Sequence, residues 1–112
     1  MKRAALTPLP TDSEPFRRSR ERFIPSVAGC YILTTFEEDI LYIGLTGNLR
    51  RRINEHLDNP EKTKLTQQGR AVMVYWTVSE EINKIERTWM NIYLLSEGVL
   101  PKLNHMYSPT ST

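Results

Sequence analysis

From residue 29 the chain alternates between short apolar runs and polar breaks. CYIL and ILYIG, residues 30–33 and 40–44, flank an acidic stretch at residues 36–39, the signature of a β-hairpin. Pairing Tyr31 with Tyr42 leaves a loop at residues 35–38, a common length, and sets two phenols side by side at the open end. Next come Gly44, the polar LTGN, and then LRRRINEHL at residues 49–57. Leu49, Ile53 and Leu57 form a narrow apolar stripe at about 100° per residue, and Asn48 is a preferred helix cap. Arg52 and His56 are four apart, so they are surface neighbours on one border of that stripe. Arg50, Arg51, Asn54 and Glu55 point elsewhere.

The run Asp58-Asn59-Pro60 ends this helix, because proline disfavours helical geometry in the residue before it. Residues 61–70 read as a polar loop; Lys62, Lys64 and Arg70 could touch a phosphate backbone, and ordinary solvent exposure is the expected reading. Residues 71–78, AVMVYWTV, are apolar on both faces, which predicts a central strand covered on both sides. Tyr75 and Trp76 belong to the core on this reading. Ser79 opens a second long helix with Glu80 and Glu81 in its first turn. It runs to Glu97, where Gly98 stops it. Ile82, Ile85, Trp89, Ile92 and Tyr93 give it an apolar stripe, and Glu86 falls inside that stripe. An ionised carboxylate there is costly unless it is paired or binds a cation; an ion pair with an arginine and a divalent metal would each satisfy it.

Composition changes the picture at the N-terminus. Residues 1–25 hold Pro8, Pro10, Pro15 and Pro25 among few apolar groups, so residues 1–24 are expected to form a mobile arm. Its second half carries Arg17, Arg18, Arg20 and Arg22. Phosphate contact, a solvated tail, and a short extra helix anchored by Phe16 and Phe23 all fit. The remainder makes one domain at residues 25–107, with a frayed tail at 108–112. At 112 residues and net charge +2, the chain supports one modest core and permits a polyanionic partner. One cysteine excludes an internal disulfide and fits a reducing compartment. With two histidines it makes a poor zinc site. No apolar run approaches the roughly 20 residues of a membrane span, and no signal-peptide core is present, so a cytoplasmic location is expected.

Two tripeptides, Gly29-Cys30-Tyr31 and Tyr42-Ile43-Gly44, lead to a family. Together with Arg52, His56 four residues on, Glu86 on the later helix, and Asn104 in Pro101-Lys102-Leu103-Asn104, they resemble the GIY-YIG nuclease domain over about residues 25–107. Cys30 stands where the family name has Ile; it is small and readily buried, so the change leaves catalysis intact. The resemblance implies an α+β fold, a small three-stranded antiparallel sheet flanked by helices. It implies a DNA endonuclease with Tyr31, Tyr42, Arg52, His56, Glu86 and Asn104 as its catalytic set. Glu86 would hold one Mg²⁺ or Mn²⁺, Arg52 would neutralise charge on the phosphate, and a tyrosine would assist the attacking water. Tyr31 and Tyr42 both remain open for that role. Asn104 would brace a catalytic residue, touch a phosphate, or stabilise a turn. Arg50, Arg51 and Lys102 join the arm's arginines as candidate DNA contacts. The alternative is a non-cutting nucleic-acid-binding or interaction module serving a larger repair or nuclease complex. A homodimer or a partner DNA-binding protein would supply the specificity that so short a chain lacks.

Overall fold

The computed structural model describes residues 1–104. His105, the domain end at residue 107 and the tail at 108–112 lie outside the described residues. Four strands, β1 (Asp12–Pro15), β2 (Gly29–Thr34), β3 (Ile40–Thr46) and β4 (Met73–Val78), form one sheet in the order β1-β4-β2-β3. Every pairing is antiparallel. Helices α1 (Leu49–Leu57), α2 (Pro60–Thr63) and α3 (Ile82–Glu97) join it, with two short 3-10 helices at Arg3–Ala5 and Arg18–Phe23.

Strand β2 is buried along its whole length, so its alternation assigns its side chains to two layers. Tyr31 and Leu33 enter the layer holding Phe16, Ile24, Leu49, Ile53 and Trp76. Cys30 and Ile32 enter the opposite layer with Trp89, Met90 and Tyr93. Helix α1 therefore covers one face of the sheet and α3 the other. Gly98 ends α3 in the left-handed conformation, φ 75°, and its N–H closes on Leu94 O, the expected glycine stop.

The sheet has four strands rather than three, and the extra one comes from the segment expected to be mobile. β1 pairs with β4 from Asp12↔Trp76 to Pro15↔Met73. Leu6, Phe16 and Ile24 are buried, Phe16 N–H donates to Val72 O at 2.8 Å, and Trp89 Nε1–H donates to Pro8 O at 2.8 Å. A composition too poor in apolar groups to fold alone still supplies isolated anchors, and these dock into a core that the rest of the chain provides. β4 is an inner strand because β1 covers its outer edge, and Pro15 sits on that edge strand, where a missing N–H is tolerated.

The hairpin register also departs from the sequence reading. Tyr31 pairs with Gly44 and Leu33 with Tyr42, with an irregularity between Leu33 and Thr34. The shift is two residues at the tyrosines, so both phenols keep their face and become diagonal neighbours. Residues 60–63 form a helical turn where a loop was expected, because Asn59 caps it and Pro60 occupies its first position. Helix α3 begins at Ile82 rather than Ser79; Ser79 Oγ accepts instead from Glu81 N–H at 2.9 Å.

If the N-terminal segment is part of the core, Phe16→Ala should destabilise the fold by roughly 3–5 kcal/mol, read by urea denaturation. A loss below about 1 kcal/mol would return residues 1–24 to the status of an appendage.

Candidate active site

Both tyrosines of the two motifs project from the face covered by α1. Their rings stack with centroids 5.8 Å apart and an interplanar angle of 26°. Gly44, opposite Tyr31, makes this possible: a Cβ there would fall 2.7 Å from Tyr31 Cζ and Oη and 2.7 Å from Tyr42 Cε1. The glycine is thus needed for the room it leaves.

Helix α1 brings the other half. Asn48 Oδ1 accepts from Arg51 N–H at 3.1 Å, capping the helix as expected. Leu49 and Ile53 are buried and dock it, which carries His56, one turn on, under the sheet. His56 is 2% exposed. Its Nε2 lies 2.6 Å from Tyr31 Oη, and its ring meets Tyr42 edge-on at 4.9 Å. Burial first, then the Arg52 and Lys62 cations, pull the His56 pKa down to about 3. Burial, with Tyr42 beside it, pushes the Tyr31 phenol well above its ordinary value, against the pull of Arg52. At neutral pH the pair is therefore a phenol and an uncharged imidazole.

Arg52 lies close enough to Tyr31 for its charge to act on the phenol, and its Nη1 donates to Glu55 Oε1 at 2.9 Å. Burial works to lower its pKa, but the bond to Glu55 and the two phenols outweigh that and raise it. Its Nε–H is buried and has no hydrogen-bond partner among the described residues. A buried donor in that condition carries a desolvation cost of about 1–3 kcal/mol, which an anion entering the pocket would remove.

Lys62 is the residue that sequence reading missed. It was expected in solvent, yet it is 7% exposed with Nζ 5.2 Å over the Tyr42 ring centre. The signal was present in Asn59-Pro60, which forms a helical start and turns the next residues back toward α1.

Glu86 and Asn104 stand apart from this cluster. Glu86 is 4% exposed on α3, the helix on the far face of the sheet. Cys30 Sγ donates to Ile82 O at 3.1 Å there, and burial together with the Glu86 carboxylate pushes the Cys30 thiol up to about 12. The six polar positions thus do not all meet in one pocket: Tyr31, Tyr42, Arg52 and His56 do, and strand alternation sends the Cys30 face and Glu86 the other way. Among the described residues no group of three or more His, Cys, Asp or Glu could share a metal. A metal at Glu86 would have fewer than three such protein ligands among the described residues, which fits a hard ion that keeps several waters. Asn104 braces edge strand β3: its Oδ1 accepts from Ile43 N–H and its Nδ2 donates to Ile43 O, both at 3.0 Å. With Leu103 N–H on Leu41 O, it extends the sheet by a short backbone-like pairing beside Tyr42.

Most of the arginines named as DNA contacts are engaged within the fold. Arg18 bonds Asn54 at 2.9 Å and pairs with Asp58. Arg20 pairs with Glu14 at 2.9 Å and lies over the Phe23 ring, as does Arg22. Arg50 donates to Ile24 O at 2.8 Å and Arg22 O at 2.9 Å. Together these contacts tie the second 3-10 helix to β1 and α1. Arg17, Arg51 and Lys102 remain exposed.

With this geometry in place, the chain can be set beside known proteins. A model of the GIY-YIG catalytic domain matches residues 27–95, more than half of the chain, and the chain belongs to that family. It is also similar to the UvrABC system protein C of Mesoplasma florum, with 26% identity over 87 residues. That match covers 76% of this chain and 13% of the longer protein. No helix among the described residues is long and apolar enough to cross a membrane.

The lowered His56 pKa has a thermodynamic consequence. The unfolded chain takes up a proton near pH 6.5 and the folded one near pH 3, so the unfolded state binds more protons between those values. Stability should be full above about pH 6.5 and decline as pH falls toward 3. His56→Gln should flatten that decline, measured by denaturant unfolding across the window. An NMR titration finding His56 protonated by pH 6 would contradict the assigned environment.

Proposed function

We propose that this chain is a metal-dependent DNA endonuclease that hydrolyses phosphodiester bonds. The observation that carries the reading is the buried, unpartnered Nε–H of Arg52 beside the Tyr31–His56 hydrogen bond. A guanidinium with an open donor suits a phosphate oxygen, and a neutral imidazole beside a phenol suits proton acceptance.

In this scheme Arg52 holds the scissile phosphate and stabilises charge developing at phosphorus. Tyr42, the less buried phenol, meets the attacking water. As the water oxygen bonds to phosphorus, its proton passes to Tyr42 Oη. Tyr42 gives up its own proton to Tyr31 Oη, whose proton moves to His56 Nε2. The phosphorus–oxygen bond on the far side breaks, and the leaving oxygen is protonated by solvent. The imidazolium that forms beside Arg52 is tolerated because the phosphate brings negative charge into the pocket. Glu86, across the sheet from Arg52, is the carboxylate that would hold Mg²⁺ or Mn²⁺, an ion that would supply charge neutralisation in such a hydrolysis. Asn104 keeps β3, and with it Tyr42, in place. Arg17, Arg51 and Lys102 are the cations left to contact flanking phosphates.

The place of Glu86 across the sheet from Arg52 favours a second reading, a nucleic-acid-binding module that does not cut. Metal-independent DNA binding without nicking would select it. The primary test is cleavage of plasmid, flap and junction DNA with Mg²⁺. Arg52→Ala should slow cutting by roughly 10²–10³-fold, and Tyr42→Phe and Glu86→Ala should also depress it. Cutting that survives both Arg52→Ala and Glu86→Ala would overturn the assignment.

A further inference from the structure

Lys62 is the buried charge that the scheme above leaves without a task. Its ammonium lies over the Tyr42 ring, and its charge, with that of Arg52, acts on His56. Its position is set by backbone bonds. Asn59 N–H donates to His56 O at 3.0 Å, Lys62 N–H donates to Asn59 O at 2.9 Å, and Asn59 Oδ1 accepts from Glu61 N–H at 3.0 Å. The side chain therefore returns to the pocket by a braced turn rather than by chance packing. A contact with one aromatic face returns only part of the hydration that a buried ammonium loses. A second cation, Arg52, acts unfavourably on it and, after burial, opposes its charge more strongly than Glu61 supports it. Two cations share this pocket with a neutral imidazole; Glu55 pairs with the outer edge of Arg52, and an anion would serve Lys62 and the open Arg52 Nε–H.

We propose that Lys62 is a second phosphate-binding residue of this pocket, its ammonium holding one non-bridging oxygen of the phosphodiester while the Arg52 Nε–H takes another. The inference rests on the nuclease reading for the identity of the anion. It adds a contact that the family motifs do not include. Lys62 then acts on the substrate directly, and its distance from Tyr42 places the phosphate against the phenol that meets the water.

The test uses the whole chain, without divalent metal, and two probes. Inorganic phosphate is titrated while the His56 imidazole resonances are followed by NMR, and affinity for a short DNA duplex is measured against salt. Lys62→Met keeps the stem and removes the charge; Lys62→Arg keeps a cation; Arg52→Ala is the reference; melting temperatures are recorded for all. Lys62→Met should weaken phosphate binding by roughly tenfold, as for loss of one charge-assisted contact. It should also lower the salt slope by about 1. Its melting temperature should not fall, and Lys62→Arg should recover most of the binding. If Lys62→Met binds phosphate and DNA like wild type while Arg52→Ala loses both, Lys62 only packs on Tyr42 and the proposal fails by itself. If wild type shows no phosphate response at His56, the proposal and the nuclease reading fall together.

Discussion

The hydrogen bond between Tyr31 Oη and His56 Nε2, 2.6 Å long and sealed from water, is the contact around which the rest is arranged. It joins the inner strand of the sheet to the last turn of α1. For it to form, Gly44 must leave room above Tyr31, Asn48 must start the helix in the right phase, and Leu49 and Ile53 must seat it. Each of these is a local property of a short stretch of chain. Their agreement gives the pocket its geometry, because a buried polar pair is stable only when both partners are satisfied.

Burial also sets the electrostatics. The same dry surroundings that strengthen the phenol–imidazole bond keep the imidazole uncharged and the phenol protonated, with the Arg52 and Lys62 cations adding to the effect on His56. The pocket is therefore polarised before anything enters it: positive at Arg52 and Lys62, neutral at Tyr31 and His56. An anion would relieve the repulsion between the cations and satisfy the open donor on Arg52. Pre-arranged charge of this kind is the form of help that phosphate chemistry can use.

Arginine turned out to be structural mortar as often as a candidate for DNA contact. Arg18, Arg20 and Arg50 hold the N-terminal segment against α1 and β1, and that segment supplies the strand covering β4. The charge run reads identically in sequence whether its partners are phosphates or Asp58, Glu14 and backbone carbonyls. Only the docking of residues 1–24 distinguishes the two.

Much of the site was legible because its determinants are short-range. Strand alternation sends Tyr31 and Tyr42, on the two strands of one hairpin, to one face; helical spacing pairs Arg52 with His56, and an asparagine caps their helix, each within a single turn or so of chain. A two-residue error in hairpin register did not move either tyrosine off its face, since the strand period is two. What sequence alone determined, then, was which residues share a face and which elements carry them. What tertiary structure decided was how separate elements meet: β1 beside β4, Lys62 over Tyr42, Asn104 on the edge of β3, and Glu86 on the opposite side of the sheet from Arg52. Such contacts join positions tens of residues apart through burial and backbone pairing, and no local periodicity encodes them.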